Sequence, residues 1–190
     1  MTTITFVRHG NTDFNNERRA QGHMNNPLNE NGRQQAAAVA KRLAEESWDV
    51  LISSDLLRTR ETAEAISAAI GLPIQYDRRL REIYRGQIEG TIEEERIAKW
   101  GEDWKKLDLG EETRHSVQQR GMEFVKDAAV QYPGKKLLVV SHGLLMGLTL
   151  QGILKDQSLG GDLHNTSVTT IQRNGEGWEY LIYGCTKHLD

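Results

Sequence analysis

Two histidines carry the strongest chemical signal in this chain, each followed by glycine and each preceded by a short apolar run. The first stands in Arg8-His9-Gly10 after Ile4-Thr5-Phe6-Val7, the second in Ser141-His142-Gly143 after Leu137-Leu138-Val139-Val140. Imidazole is the side chain best suited to nucleophilic or acid–base work near neutral pH. A histidine at a strand end is more often structural, but Arg8 is an odd neighbour for a merely structural ring. A fixed cation discourages protonation and so biases His9 toward its neutral, nucleophilic form. The same guanidinium can grip two oxygens of a phosphate. Arg58 and Arg60 follow in Ser53-Ser54-Asp55-Leu56-Leu57-Arg58-Thr59-Arg60, at a helix start, where free amides favour an anion. Arg58 precedes the helix body and is the better placed to face a crevice, whereas Arg60 is expected to pair with Glu64 on the surface. Glu82, in Leu80-Arg81-Glu82-Ile83-Tyr84-Arg85-Gly86, is weak evidence alone. A carboxyl group beside a phosphate anion does, however, retain a proton that it can pass to a leaving oxygen.

The elements that must position these groups are legible from apolar spacing. Both His-Gly pairs end runs of strand length, and ligands of open α/β sheets sit beyond the carboxyl ends of the strands. Two such strands therefore aim two imidazoles at one crevice. Ala36, Val39, Ala40, Leu43 and Ala44 recur at helical spacing and predict a helix over 33–46. Val50-Leu51-Ile52 reads as a strand, Asp55 as the cap of a helix carrying Ala63, Ile66 and Ile70, and Ile74-Gln75-Tyr76 as another strand after Gly71 and Pro73. This alternation predicts an α/β three-layer sandwich, a mostly parallel sheet flanked by helices. The segment 91–110 is charged and is read as a small helical lid outside the sheet, with Trp100, Trp104 and Leu107 on one face. Those tryptophans either pack the lid onto the body or line an apolar slot. A long helix follows, bearing Val117, Phe124, Val125, Ala128 and Tyr132, then the second histidine strand, an apolar helix over 144–154, and a strand pair around Asn174-Gly175.

Length and charge narrow the function classes. The 190 residues suit one domain, with the lid at about 91–112 as an excursion from it. The 24 basic and 27 acidic residues give a net charge of -3, which argues against nucleic acid and anionic membrane as partners. No run of about 18 apolar residues predicts a membrane span. The first strand begins almost at Met1, and the sole cysteine, Cys185, forms no intrachain disulfide, so a cytoplasmic protein is expected. A small anionic molecule remains a fitting partner, and a homodimer is left open.

In this order the motifs resemble the histidine phosphatase superfamily, also called the phosphoglycerate-mutase-like family, over nearly the whole chain. The resemblance rests on Val7-Arg8-His9-Gly10-Asn11-Thr12, Asn15, Gln21-Gly22, Asn26-Pro27-Leu28, the Arg58 segment, Leu80-Arg81-Glu82 with Gly86 and Glu89-Gly90, and Ser141-His142-Gly143. It implies a covalent mechanism in which His9 attacks phosphorus to give a phosphohistidine. Arg8, Arg58 and a protonated His142 would hold the non-bridging oxygens, assisted by Asn15, Gln21 and Gly22. The amides of Gly143 and Leu144 would add a helix-start contact. Glu82 would protonate the leaving alkoxide and then activate water. No metal or other cofactor is needed in that scheme, because phosphoryl transfer is chiefly positioning and electrostatic stabilisation. Arg85, Ile88 and Leu144-Leu145-Met146 depart from the family pattern and bear on the substrate.

The leading expectation is a phosphatase acting on small phosphomonoesters. The alternative within the family is a cofactor-dependent mutase, which carries a longer insertion between the acid and the second histidine and shields its phosphohistidine from water. An alternative of another class is a non-catalytic phosphate-ester or partner-binding protein, whose sign would be a missing nucleophile or acid. A metal hydrolase is disfavoured, since His23, His115, His164 and His188 lack paired-ligand spacing. His23 reads as a loop residue with the pocket rim within reach. Arg18, Arg19 and Arg85 either read a second anionic group or are surface charges.

Overall fold

In the computed structural model, which describes residues 1–161, 163–175 and 177–190, six strands form one sheet in the order β3-β2-β4-β1-β5-β6. The strands are β1 (Thr3–Arg8), β2 (Val50–Ser53), β3 (Ile74–Tyr76), β4 (Lys136–Ser141), β5 (Val168–Asn174) and β6 (Gly177–Cys185). The helices are α1 (Asp13–Asn16), α2 (Glu30–Leu43), α3 (Leu57–Ile70), α4 (Glu93–Trp100), α5 (Arg114–Gln131) and α6 (Gly143–Leu154). Strands β3, β2, β4 and β1 are mutually parallel, and β5 and β6 close one side as an antiparallel pair.

Alternation along the buried strands explains the layers. Ile4 and Phe6 of β1, with Leu137 and Val139 of β4, pack under α5 and α6 against Phe124, Val125 and Leu145. Val7, Leu138 and Val140 point the other way, against Val39, Leu43, Ala63 and Ile66 of α2 and α3. Both faces of the central strands are thus covered, and the sheet between two helical layers is the architecture the spacing predicts.

Local chemistry shifts several boundaries. Helix α2 starts earlier than expected because Asn29 caps it, its side chain accepting from the Gly32 amide at 2.8 Å. Asp55 does not cap α3. The N-cap is Leu56, and Asp55 instead takes a bidentate pair from Arg81 at 2.7 and 2.6 Å. The segment 91–110 is α-helical only over α4, because Gly101 takes φ +85° and ends it, and a 3-10 turn follows at Trp104–Lys106. Trp100 and Trp104 therefore lie in different elements rather than on one helical face, and Leu107 is exposed. Trp104 is buried with Ile88 and Leu109, and Trp100 packs beside them. No helix among the described residues is long and apolar enough to cross a membrane.

Candidate active site

The register of β1 against β4 brings the two histidines together. Arg8 and Ser141 are direct partners in the parallel ladder, so His9 and His142 are the next residue on each strand. Their ring centroids lie 5.3 Å apart. Strand β2 ends at the same edge, with the Ser54 amide donating to Val140, and the Ser54 hydroxyl lies 2.9 Å from His142 Nε2.

His9 is held in one tautomer. Its Nδ1 lies 2.7 Å from the Gly10 carbonyl, which can only accept, so Nδ1 carries the proton in the neutral ring. Nε2 is then left with its lone pair. Burial, and after it the charges of Arg58 and Arg8, push the His9 pKa well below the ordinary imidazole value, outweighing the pull of the Gly10 bond. Gly10 itself packs too closely for any side chain, since a Cβ there would stand 2.5 Å from the Gly32 carbonyl oxygen.

Arg58 sits in the first turn of α3, where a cation opposes the helix dipole. It is 1 % exposed. Its guanidinium donates to the carbonyls of Met24 and Gly22, both at 2.9 Å, and no carboxylate among the described residues pairs with it. Burial lowers its pKa to about 10, Arg8 adding to that effect while Glu82 and Glu89 oppose it, so it stays charged at neutral pH. Gly22, at φ +50°, has no room for a Cβ against the Glu89 carboxylate, which lets the loop bring its carbonyl onto Arg58. Arg8 donates to the Leu163 carbonyl and runs past Gly143, where a Cβ would come within 3.3 Å of Arg8 Nε.

Asn15 and Gln21 are oriented through Thr12, which is buried. Thr12 and Asn15 form a capping box at α1, the Thr12 amide donating to Asn15 Oδ1 at 3.1 Å. Gln21 Oε1 lies 3.0 Å from the Thr12 hydroxyl and accepts from Asn26 Nδ2 at 2.8 Å. Both amide oxygens are thereby occupied, and both NH₂ ends remain on residues that line the cavity. Asn165 adds a bond from Nδ2 to the His9 carbonyl at 2.9 Å.

Glu82 reaches the same cavity from the segment after β3. Its Oε1 accepts from the amides of Ile83 and Leu145 at 2.9 and 3.1 Å, and Oε2 accepts from Leu144 at 3.3 Å. The start of α6 thus serves Glu82, and the expectation that the Leu144 amide is a free anion contact is corrected. Gly143 gives Arg8 clearance. The Glu82 backbone is pinned by Arg120 of α5, which donates to the carbonyls of Arg79, Arg81 and Glu82 and pairs with Glu112 at 2.9 Å. Arg120 gave no signal in the sequence, being one charge among many on a long helix.

His142 differs from expectation in two ways. It does not line the cavity; it lies behind His9, fully buried, with Nδ1 unpartnered. Burial first, then Arg58, His9, Arg120 and Arg8, drives its pKa well below the ordinary value. The positive charge implied by resemblance is therefore opposed by its protein surroundings. His23 reaches inward rather than into solvent, its Nε2 donating to the Glu82 carbonyl at 2.8 Å. Arg60 makes no ion pair with Glu64 among the described residues and lies instead 5.7 Å from the Tyr76 ring.

These groups surround a cavity of about 370 Å³ lined by six arginines but only two carboxylates, Glu82 and Glu111. Its floor is His9, Arg8, Arg58, Asn15 and Gln21; its outer wall is Ile88, Arg85, Arg96 and Trp104. Trp104 both packs the lid and lines the cavity. A neutral imidazole with an exposed lone pair, set among fixed cations and amide donors with a carboxyl group opposite, can take up and stabilise a phosphoryl group.

Fold and site together define an α/β protein with a histidine set among arginines at the carboxyl ends of parallel strands. The chain belongs to the histidine phosphatase superfamily (branch 1), whose model it matches over residues 4–186. It is 32% identical to the Bacillus subtilis protein named uncharacterized phosphatase PhoE, over 100% of this chain and 97% of that one. It is 35% identical to a Yersinia pestis protein named probable phosphoglycerate mutase GpmB, over 100% and 96% of the two chains. The solved structure of Bacillus stearothermophilus YhfR superposes with a TM-score of 0.90 at 32% identity, covering 100% of both chains. The family holds phosphatases and mutases, and the relatives carry both names.

Proposed function

We propose that the protein is a metal-independent phosphatase that hydrolyses small phosphomonoesters through a phosphohistidine. The observation that carries this reading is Arg58: a buried cation beside His9 whose hydrogen-bond partners are carbonyls, with no carboxylate paired to it among the described residues. A buried charge is costly unless something of opposite sign meets it, and a phosphate dianion supplies that sign. The Nε2 lone pair of His9 attacks phosphorus as the bond to the ester oxygen breaks, and Glu82 passes its proton to that oxygen. Water then attacks the phosphohistidine, Glu82 takes the proton back, and the N–P bond breaks to release inorganic phosphate. Arg8, Arg58, Asn15 and Gln21 hold the non-bridging oxygens. The dianion also offsets the charges of Arg58 and Arg8 at His142, so protonation of that ring is favoured more with phosphate bound than without it. The mutase reading is favoured by the relative named GpmB; there the phosphoryl group returns to substrate instead of water.

The test is phosphate release from p-nitrophenyl phosphate with and without a chelator, with 3-phosphoglycerate isomerisation assayed alongside. Turnover that persists in the chelator, with acid-labile phosphoprotein in the wild type and none in His9→Ala, is the expected result. Phosphoprotein that survives in His9→Ala, or isomerisation faster than hydrolysis, overturns it.

A further inference from the structure

The arginines around the outer cavity are not equivalent. Arg19 pairs with Glu17 at 2.9 Å and Glu95 at 2.7 Å, and Arg85 with Glu111 at 2.6 Å. Arg96 is held by Thr91 and Glu93 and lies 5.1 Å from the Trp104 ring. Arg18 lines the same cavity and has no carboxylate, carbonyl or ring partner for its side chain among the described residues.

The backbone at Arg18 is independently unusual. Helix α1 ends with the Arg19 amide donating to the Phe14 carbonyl at 2.9 Å, which forces Arg18 into the left-handed region at φ +55°. Glycine or asparagine fills that position at lower cost. A long, exposed, charged residue in a strained conformation gains nothing from helix termination, so the side chain itself is the feature to account for. It projects from the loop that also delivers Asn15 and Gln21, the amides on the cavity floor.

We infer that Arg18 is a specificity-determining residue that reads a second anionic group on the substrate, a carboxylate or a second phosphate separated from the transferred phosphoryl group by a short carbon chain. This rests on the phosphatase reading and adds to it the class of ester preferred. Arg19 and Arg85, already balanced by carboxylates, hold the wall in place, whereas Arg18 offers an unspent fork for two oxygens.

The experiment compares wild type with two variants that remove the charge, Arg18→Gln and Arg18→Asn, the latter also easing the backbone, and with Arg18→Lys, which keeps it. Two matched pairs of esters are used: 3-phosphoglycerate against glycerol 3-phosphate for the carboxylate, and fructose 1,6-bisphosphate against fructose 6-phosphate for the second phosphate. The expected result is a ratio of kcat/KM favouring the doubly acidic ester of one pair. That ratio falls about tenfold in both variants and is largely restored in Arg18→Lys; the pair that responds identifies the group. Ratios near one in the wild type, or ratios that do not move in the variants, overturn the inference. Calorimetric binding of 3-phosphoglycerate and glycerol 3-phosphate to His9→Ala, with and without Arg18→Gln, reads the subsite independently of turnover. A binding preference lost with Arg18→Gln in a protein that hydrolyses none of these esters would sink the phosphatase reading and leave the subsite standing.

Discussion

The floor of the cavity and its outer wall both hold arginines, but the two sets are neutralised differently. On the floor, Arg58 is buried, donates to two carbonyls and forms no ion pair with a carboxylate among the described residues. On the wall, Arg19 and Arg85 are 22% and 33% exposed and are matched by Glu17 and Glu95 and by Glu111. The wall charges of Arg19 and Arg85 cancel locally, so the positive field that survives comes from the floor and from Arg18. Floor cations contribute a preorganised charge that costs stability in the folded protein and is recovered only against an anion. Wall cations tie loop to lid and contribute geometry.

The largest effect should come from removing charge at the floor. Arg58→Met keeps much of the volume while deleting the buried cation. Activity should fall about 10²–10³-fold, the scale of losing a transition-state donor in a dry site. Stability should move the other way. The carbonyls of Met24 and Gly22 lose their donors, at about 1–3 kcal/mol, but relief of a buried unbalanced charge is worth several kcal/mol. A Tm rise of a few degrees without ligand, together with loss of activity, would sharpen the contrast. A lower Tm would break it, because the floor would then be held together by Arg58 rather than strained by it.

An effect of middle size is expected from the two imidazoles, which the same field keeps neutral. His9 and His142 both have pKa values pushed well below the ordinary value, by burial first and the arginines second. The unfolded chain binds these protons near pH 6.5, where the folded protein does not, so the unfolded state carries more protons as pH falls. Stability is therefore intact above about 6.5 and declines below it, by up to about 1.4 kcal/mol per pH unit for each histidine. His188, lowered by burial and Arg42 with Asp190 opposing, adds in the same direction. The carboxylates with lowered pKa values act only at more acidic pH, which leaves the window from 7 to 5 to the histidines. Melting curves across that window should slope downward, less steeply in His142→Asn and less again with saturating vanadate. A flat profile would show that the floor does not exert the field assigned to it.

Much of the floor was legible in the sequence because its residues are tied to strand ends and short motifs. Apolar runs end at His9 and His142, and the ladder pairing of Arg8 with Ser141 makes neighbours of residues far apart in the chain. The wall was less legible. Its shape depends on Gly101 ending α4 one residue past Trp100, which moved Trp104 out of the expected helical face and into a buried turn. The missed features are tertiary in origin. Glu82 captures the Leu144 and Leu145 amides across a long separation, and Arg120 gathers three carbonyls of one segment. No local spacing encodes which carboxylate will cap a helix start when several are in reach. Asp55 illustrates the converse: a residue type that caps helices well was drawn to Arg81, and the helix began at Leu56 without a side-chain cap.

The smallest effect is predicted for the wall, at Arg85→Ala. Its side chain is 33% exposed and bonds at 2.6 Å to Glu111, whose side chain is 35% exposed. Exposed pairs of this kind are worth about 0–1 kcal/mol after solvent screening, so Tm should shift by no more than a few degrees. Because Glu111 already cancels its charge, deleting Arg85 changes the field at His9 little, and kcat on p-nitrophenyl phosphate should stay within about threefold of wild type, far from the loss assigned to a floor donor. The informative partner is Glu111→Gln, which leaves the cation and removes what balances it. If local cancellation is what separates wall from floor, that variant frees a second arginine beside the cavity. KM for doubly anionic esters should then drop relative to singly anionic ones, with kcat nearly constant. Equal losses in Arg85→Ala and Arg58→Met, or no change of preference in Glu111→Gln, would mean that pairing with carboxylates is not what distinguishes the two sets of arginines.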